Sequence, residues 1–199
     1  MHKSLYARPD KPKFSVLHFC KREKTVDLLP EKPVVLSVDA RAECHVTPPD
    51  VALRMVTYAG LDDPDALWID PSAGTGNLLQ AMLDSGVSAE QITAIEINFS
   101  LNEHLKKRFP LSLVHLCCCL DFSHLGRHRS GFKKVVMNPP FSRVKAHVSA
   151  AVEMLSVGGT LVALVPVTFD LEGFELIETL PPDTFATAKV YTKIVRYFK

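Results

Sequence analysis

Asn138, Pro139, Pro140 and Phe141 follow the apolar run Val135-Val136-Met137, and neither proline can donate a backbone hydrogen bond. A buried-looking strand that ends this way offers oxygen acceptors and no competing donors. Three other apolar runs also end in acids. Asp70 closes "ALWID" just ahead of Gly74-Thr75-Gly76, a turn that needs φ freedom and close backbone approach to a ligand. Glu96 ends "AIE" twenty residues past Gly76, where a carboxylate can accept both hydroxyls of a ribose. Asp121 and Phe122 end the next run, as an acceptor suited to an adenine amino group and a ring suited to its face.

Each feature alone is weak, and each has a plainer reading. The glycine pair is not a phosphate-binding loop, because no Lys-Ser/Thr follows it, and Leu79 stands where a dinucleotide fingerprint needs its third glycine. A structural turn explains a bare GxG equally well, and Phe141 alone could be a core aromatic. The eight histidines show no HxH or HExxH spacing and the five cysteines no CxxC, so no metal site is expected. Cys117-Cys118-Cys119 read with Cys20 and Cys44 as reduced, mostly buried thiols. Four consecutive strand ends bearing polar groups carry the argument together.

The elements that would position them alternate. "PPDVALRMVTYAG" reads as a helix with prolines in its first turn and Gly60 at its end. "ALWID", "ITAIEIN", "LSLVHLCCCLDF", "FKKVVMNPP" and "GTLVALVPVTF" read as strands. "NLLQAMLDSG", "LNEHLKKRF", "KAHVSAAVEML" and the short "LEGFELIETL" read as helices, and "TFATAKVY" and "TKIVRYFK" as two final strands. Near-continuous apolar strands between helices imply parallel βαβ units. The expected fold is α/β, a Rossmann-like doubly wound, mostly parallel seven-stranded sheet with an antiparallel C-terminal hairpin. In such folds the ligand sits at the carboxyl ends of the strands.

Residues 1–46 are the exception, a basic, partly irregular arm, with 47–199 as the catalytic domain. In the first 24 residues Lys3, Arg8, Lys11, Lys13, Lys21, Arg22 and Lys24 face only Asp10 and Glu23, although the net charge of the 199 residues is +1. His124, Arg127, His128, Arg129, Lys133 and Lys134 form a second basic segment. Both read either as solvated surface or as phosphate contacts. At 47% apolar and 23% charged the composition is that of an ordinary globular domain. No apolar run is long enough to cross a bilayer, and no secretory signal is visible, so a cytoplasmic location without membrane contact is expected.

"TPPDVALRMV", "DPSAGTGNLL", "AIEIN", "DF" and "NPPF", in that order, resemble the class I S-adenosylmethionine-dependent methyltransferases. More narrowly they resemble the amino-methyltransferases with an Asn-Pro-Pro-aromatic motif, over roughly Cys44 to the C-terminus. The resemblance implies S-adenosyl-L-methionine as cofactor. Asp70 and the Ala73, Gly74 and Gly76 backbone would cradle its methionine portion, and Thr47 and Pro48 would close over that end. Glu96 would hold the ribose diol, Asp121 the adenine amino group, and Phe122 would lie beside the ring.

An adenine amino nitrogen is a poor nucleophile while its lone pair is conjugated into the ring. Two acceptors that draw both hydrogens aside let it become tetrahedral. Asn138 Oδ1 and the Pro139 carbonyl can be those acceptors, with Pro140 restricting Pro139, and Phe141 would stack on an extruded base for about 1–3 kcal/mol. The motif also occurs in enzymes resembling RNA adenine and protein glutamine methyltransferases. The Thr-Pro-Pro segment favours DNA N6-adenine, with RNA adenine the runner-up and protein glutamine third. A methyltransferase-like module that only binds nucleic acid is the non-enzymatic alternative. With few residues after Phe141 for target recognition, a separate protein partner could supply it.

Overall fold

The computed structural model describes residues 14–17, 36–39, 46–124, 131–185 and 189–199. The chain divides into two compact units, Met1–Glu43 and Cys44–Lys199. In the first, β1 (Phe14–Leu17) pairs antiparallel with β2 (Leu36–Asp39). The N-terminal basic residues, Cys20, Cys44, and Arg127, His128 and Arg129 of the second basic segment lie outside the described residues.

The second unit opens with α1 (Pro49–Ala59). Pro49 occupies the first turn, where its missing N–H costs nothing, and Gly60 at φ 85 stops the helix. β3 (Trp68–Asp70), α2 (Asn77–Asp84), β4 (Ile92–Glu96) and α3 (Phe99–Arg108) follow, then β5 (Leu113–Leu116), α4 (Cys119–His124) and β6 (Phe132–Met137). The chain continues through α5 (Val144–Met154) and β7 (Leu155–Pro166) to β8 (Glu175–Leu180) and β9 (Thr192–Phe198).

Seven strands form one sheet in the order β5-β4-β3-β6-β7-β9-β8. The first five are parallel to one another, while β9 runs antiparallel to both β7 and β8. This is the Rossmann-like sheet with a C-terminal antiparallel hairpin that the alternating pattern predicts. Chain progression reverses at β3, which has β4 on one side and β6 on the other. That is the topological switch point at which a crevice opens.

Strand residues alternate between two cores. Trp68, Ile92, Val136, Val162, Leu164 and Ile194 pack with α1 and α2, whereas Ile69, Ile95, Val135, Leu161, Ala163 and Val195 pack with α4 and α5. Ile69, Val135 and Leu161 are fully buried on three adjacent strands. Each such side chain contributes about 1.5–3 kcal/mol, far more than an exposed pair such as Lys106–Glu103. Packing therefore fixes the switch point. Cys119 is buried and Cys117 and Cys118 half-buried, all three as free thiols, and burial pushes the Cys119 thiol up to about 12.

Three expectations need correction. "LEGFELIETL" is not a helix, because its second half forms the edge strand β8. Its apolar residues at 171, 174, 177 and 180 mimic helical spacing, while the exposed outer edge leaves Leu176 61% accessible. "LSLVHLCCCLDF" is not one strand: pairing with β4 ends at Leu116, and α4 begins at Cys119. "TFATAKVY" contributes only a bridge at Phe185 among its described residues, since residues 186–188 lie outside them. Pro181 and Pro182 turn the chain there, with Thr184 N–H donating to the Pro181 carbonyl at 3.1 Å.

Candidate active site

The ends of β4, β3 and β6 lie side by side at the switch point. Asp70 is in register with Ala94 on β4, so Glu96 stands two residues farther out. Ile69 is in register with Val135 on β6, which puts Asn138 just past the end of that strand. The structure thus brings Asp70, Glu96 and Asn138 to one end of the sheet.

Asp70 is fully buried. Its Oδ1 accepts the Ser72 amide at 3.0 Å, but Oδ2 is buried without a hydrogen-bond partner. Desolvation, and next the charge of Glu96, push its carboxyl up to about 8 against the opposing Ser72 amide. An orphaned carboxylate oxygen beside a glycine turn is an acceptor that a cationic ligand group would satisfy.

The turn itself is held from three sides. Gly74 N–H donates to Glu96 Oε2 at 2.8 Å, Ala73 N–H donates to the Ile95 carbonyl at 2.9 Å, and Arg108 Nη1 donates to the Thr75 carbonyl at 3.1 Å. Gly74 and Gly76 have φ of 51 and 83. A Cβ at Gly76 would lie 2.5 Å from Phe109 Cε2 and 2.7 Å from Leu105 Cδ2. This glycine is therefore required for packing against α3 as well as for its backbone angle. Glu96 Oε1 accepts the Asn98 amide at 2.7 Å, and desolvation raises the Glu96 pKa against these hydrogen bonds.

Asn138 ties the Asp70 turn to the segment that leads into α1. Its Nδ2 donates to Thr47 Oγ1 at 3.1 Å, and its backbone carbonyl accepts the Ser72 hydroxyl at 3.1 Å. The Thr47 carbonyl in turn accepts Asn77 Nδ2 at 2.8 Å. Pro48, directly after Thr47, forms the N-cap of α1. Pro139 is buried and Pro140 half-buried, with φ −56 and ψ 126 at Pro140. Phe141 is half-buried against the α1 and α2 core and meets the buried Phe185 edge-on, with ring centroids 6.5 Å apart.

Asp121 is exposed on the first turn of α4. Phe122 is buried at 2% exposure in the α5-side core, with His115 at 5.0 Å between ring centroids. The Phe122 ring is thus packed into the core and has no open face.

Lys133 and Lys134 do not reach this site. They lie near the amino end of β6, opposite the crevice, and both head groups are in use. Lys133 Nζ donates to the Val157 carbonyl at 2.9 Å. Lys134 Nζ donates to the Ala59 carbonyl at 2.8 Å and to Asp62 Oδ1 at 3.0 Å. The phosphate-contact reading of these two lysines is therefore withdrawn. Ser72, Asn77, Arg108 and Phe185, which bond or pack against Asn138, Thr47, Thr75 and Phe141, match no sequence pattern that would single them out. Ser72 and Asn77 at least flank the glycines closely.

No protein-family model matches the chain. The type II restriction enzyme and methyltransferase RM.BcgI of Heyndrickxia coagulans is 27% identical over an alignment of 148 residues that covers 61% of this chain and 23% of that protein. The chain thus spans about a quarter of that curated relative. A putative methylase from Haemophilus influenzae matches with a TM-score of 0.59 at 17% identity, over 76% of this chain and 100% of that one. A putative RNA methyltransferase from Pyrococcus horikoshii matches with a TM-score of 0.58 at 20% identity, over 78% and 84%. A dimethyladenosine transferase from Plasmodium falciparum gives 0.59 at 15%, over 76% and 62%.

The fold is that of the class I methyltransferases. Within this fold the Asp70 turn is bonded to Glu96 through the Gly74 amide and to the Asn138 carbonyl through the Ser72 hydroxyl, and the Asn138 side chain is bonded to Thr47.

Proposed function

We propose that this chain is an S-adenosyl-L-methionine-dependent methyltransferase acting on the exocyclic amino group of adenine in DNA. The observation that carries the reading is Asn138 held next to the Asp70 turn, its carbonyl bonded to Ser72 and its side-chain amide to Thr47. The similarity to a restriction enzyme and methyltransferase favours DNA among the possible adenine sources.

The buried Asp70 Oδ2 suits the ammonium of the cofactor's methionine portion, with Ala73, Gly74 and Gly76 beside it, Thr47 and Pro48 on the far side, and Glu96 toward the ribose. Asp121 takes the adenine amino group, and Phe122 backs that wall. When bound, the sulfonium supplies an activated methyl group. Asn138 Oδ1 and the Pro139 carbonyl accept the two hydrogens of the target amine and draw its lone pair out of conjugation. Pro139 and Pro140 contribute no donors that would compete. Phe141, steadied by Phe185, stacks on the extruded base. Because the chain matches only a quarter of its curated relative, recognition of a longer target sequence is assigned to a partner or a further domain.

The test is incubation of the protein with tritiated-methyl cofactor and separate pools of duplex DNA, single-stranded DNA, rRNA, tRNA and protein, followed by nucleoside analysis. N6-methyladenine in DNA is the expected product. Label in RNA adenine or in protein glutamine would replace the substrate, and cofactor binding without any transfer would favour a binding module.

A further inference from the structure

We propose that Arg108 is a positioning residue for cofactor binding, its guanidinium holding the Thr75 carbonyl of the glycine turn toward α3. The inference rests on the reading above, in which that turn meets the methionine portion of S-adenosyl-L-methionine. It adds a residue that acts on the cofactor only through the turn.

α3 ends in Lys106, Lys107 and Arg108, and a basic last turn suits the helix dipole wherever its side chains go. Lys106 and Lys107 follow that plain reading and are exposed. Arg108 is half-buried instead, and its head group is committed. Nη1 donates to the Thr75 carbonyl at 3.1 Å, Nη2 donates to Gln80 Oε1 at 3.2 Å, and Cζ lies 4.9 Å from the centroid of the Phe109 ring. That ring is the one a Cβ at Gly76 would strike, 2.5 Å from Cε2. Guanidinium, ring and glycine are therefore one packed unit. A guanidinium only donates and a carbonyl only accepts, so the bond to Thr75 has a single sense.

The bond matters because of the peptide it fixes. At the other end of the Thr75–Gly76 peptide, Gly76 N–H donates to the Ala73 carbonyl at 2.8 Å. Gly76 sits at φ 83, and glycine takes either sign of φ readily, so its backbone does little to stop that peptide from rotating. Without the guanidinium only the short-range bond to Ala73 remains. A Thr75 carbonyl swung out of place would bring partial negative charge toward the carboxylate of the methionine portion and weaken the hold on that end. Gly74 N–H, which bonds Glu96, belongs to an earlier peptide of the turn, so the ribose side is spared.

Arg108→Met keeps the stem and removes the donors, and Arg108→Lys keeps the stem with one donor group. Affinities of the full chain for S-adenosyl-L-homocysteine and for 5′-methylthioadenosine, which lacks the amino-acid end, are measured by calorimetry, with thermal unfolding of each variant alongside. Arg108→Met should weaken S-adenosyl-L-homocysteine binding by about 10-fold or more, the loss of a hydrogen bond to a charged group, while methylthioadenosine binding stays within about threefold. Arg108→Lys still offers the Thr75 carbonyl a donor and should bind S-adenosyl-L-homocysteine more tightly than Arg108→Met. A merely loosened scaffold would lower both affinities together.

An equal loss for both ligands would therefore overturn the proposal. Unchanged S-adenosyl-L-homocysteine affinity in a folded Arg108→Met protein, or a Lys variant no better than the Met variant, would also overturn it. If Arg108→Met does not fold, Gln80→Leu decides, since it frees one arm of the guanidinium. A loss of about threefold confined to S-adenosyl-L-homocysteine then sustains the proposal, and no loss or an equal loss overturns it. A parent protein that binds both ligands equally would show that the turn does not meet the methionine end. That failure belongs to the cofactor reading, because it appears before any residue is changed, and the proposal falls with it.

Discussion

Glu96 Oε2 accepts the Gly74 amide at 2.8 Å, so the end of β4 and the glycine turn form one hydrogen-bonded unit. Its other oxygen accepts the Asn98 amide at 2.7 Å. A carboxylate has about four acceptor sites, so a ribose diol could be added without displacing either amide. An amide in its place would turn an NH2 donor toward one of those N–H groups. Glu96→Gln should therefore weaken cofactor binding nearly as much as Glu96→Ala, each by about 1.5–3 kcal/mol, the range for hydrogen bonds to charged groups. Calorimetry on folded variants checks this, and unchanged affinity in Glu96→Ala would remove the assignment.

The burial of Asp70 predicts a pH-dependent stability. Its carboxyl is raised from an ordinary 3.8 to about 8, so the native ligand-free protein keeps a proton that the unfolded chain has already released. The stability from this group is complete below about pH 4 and is lost as pH rises through about 8. Between those values the slope is at most about 1.4 kcal/mol per pH unit. Asp70→Asn stays neutral throughout, so its denaturation midpoint should fall less between pH 5 and pH 9 than that of the parent. Parallel curves would show that Asp70 is ionised in the free protein.

The parts of this design that could be read from sequence are those where packing leaves one solution. β3, β4 and the Val135–Met137 end of β6 are buried on both faces, so their runs are nearly all apolar up to the strand ends and those ends can be located. Asp70, Glu96 and Asn138 follow from those ends. Edge strands lack that constraint. β8 has one neighbour and an exposed Leu176, so its apolar spacing fits a helix as well as a strand. At the opposite edge, nothing in "LVHLCCCLDF" marks the break between β5 and α4. The lysines of β6 misled for another reason. A long amphipathic side chain in a charged segment looks solvent-facing until the carbonyl it caps is known. The contact between Thr47 and Asn138 spans 91 residues, and no local pattern encodes it.

Gly76 and Gly86 separate two costs of replacing a left-handed glycine. Both have positive φ, at 83 and 92, but an added Cβ at Gly76 would run into Phe109 and Leu105 while at Gly86 it meets nothing within 4 Å. Gly86→Ala should lose only the backbone term of about 1–2 kcal/mol. Gly76→Ala should lose that plus about 1–3 kcal/mol of overpacking. Urea unfolding of the two variants measures the difference. Equal losses would mean that α3 yields to the methyl group without strain.

Lys134 should prove structural. Its head group caps the last carbonyl of α1, Ala59, where the helix dipole favours a cation, and it also pairs with Asp62. Lys134→Met keeps the buried stem and leaves that carbonyl without its donor, at a cost of about 1–3 kcal/mol of stability. Nucleic-acid affinity and its salt dependence should not change, because a lysine at the amino end of β6 neutralises no phosphate at the crevice. A salt slope smaller by about one in a folded Lys134→Met protein would restore it to the nucleic-acid interface.

The last prediction separates what Asn138 accepts from what it donates. Asn138→Ala removes the acceptor for the target amine, and loss of one group that stabilises developing charge typically lowers kcat by about 100- to 1000-fold. Cofactor affinity should stay within about threefold, because the methionine and ribose contacts belong to Asp70, the glycine turn and Glu96. Asn138→Asp keeps an oxygen toward the amine and loses the Nδ2 donor. The Thr47 hydroxyl can compensate by turning from acceptor to donor, since it can serve as either. Asn138→Asp should therefore retain more turnover than Asn138→Ala, and adding Thr47→Val to it should remove most of the difference. The measurements are single-turnover methyl transfer and calorimetry on each variant. Asp and Ala variants that are equally inactive would show that the amide works as a donor, and the acceptor mechanism at this strand end would have to be abandoned.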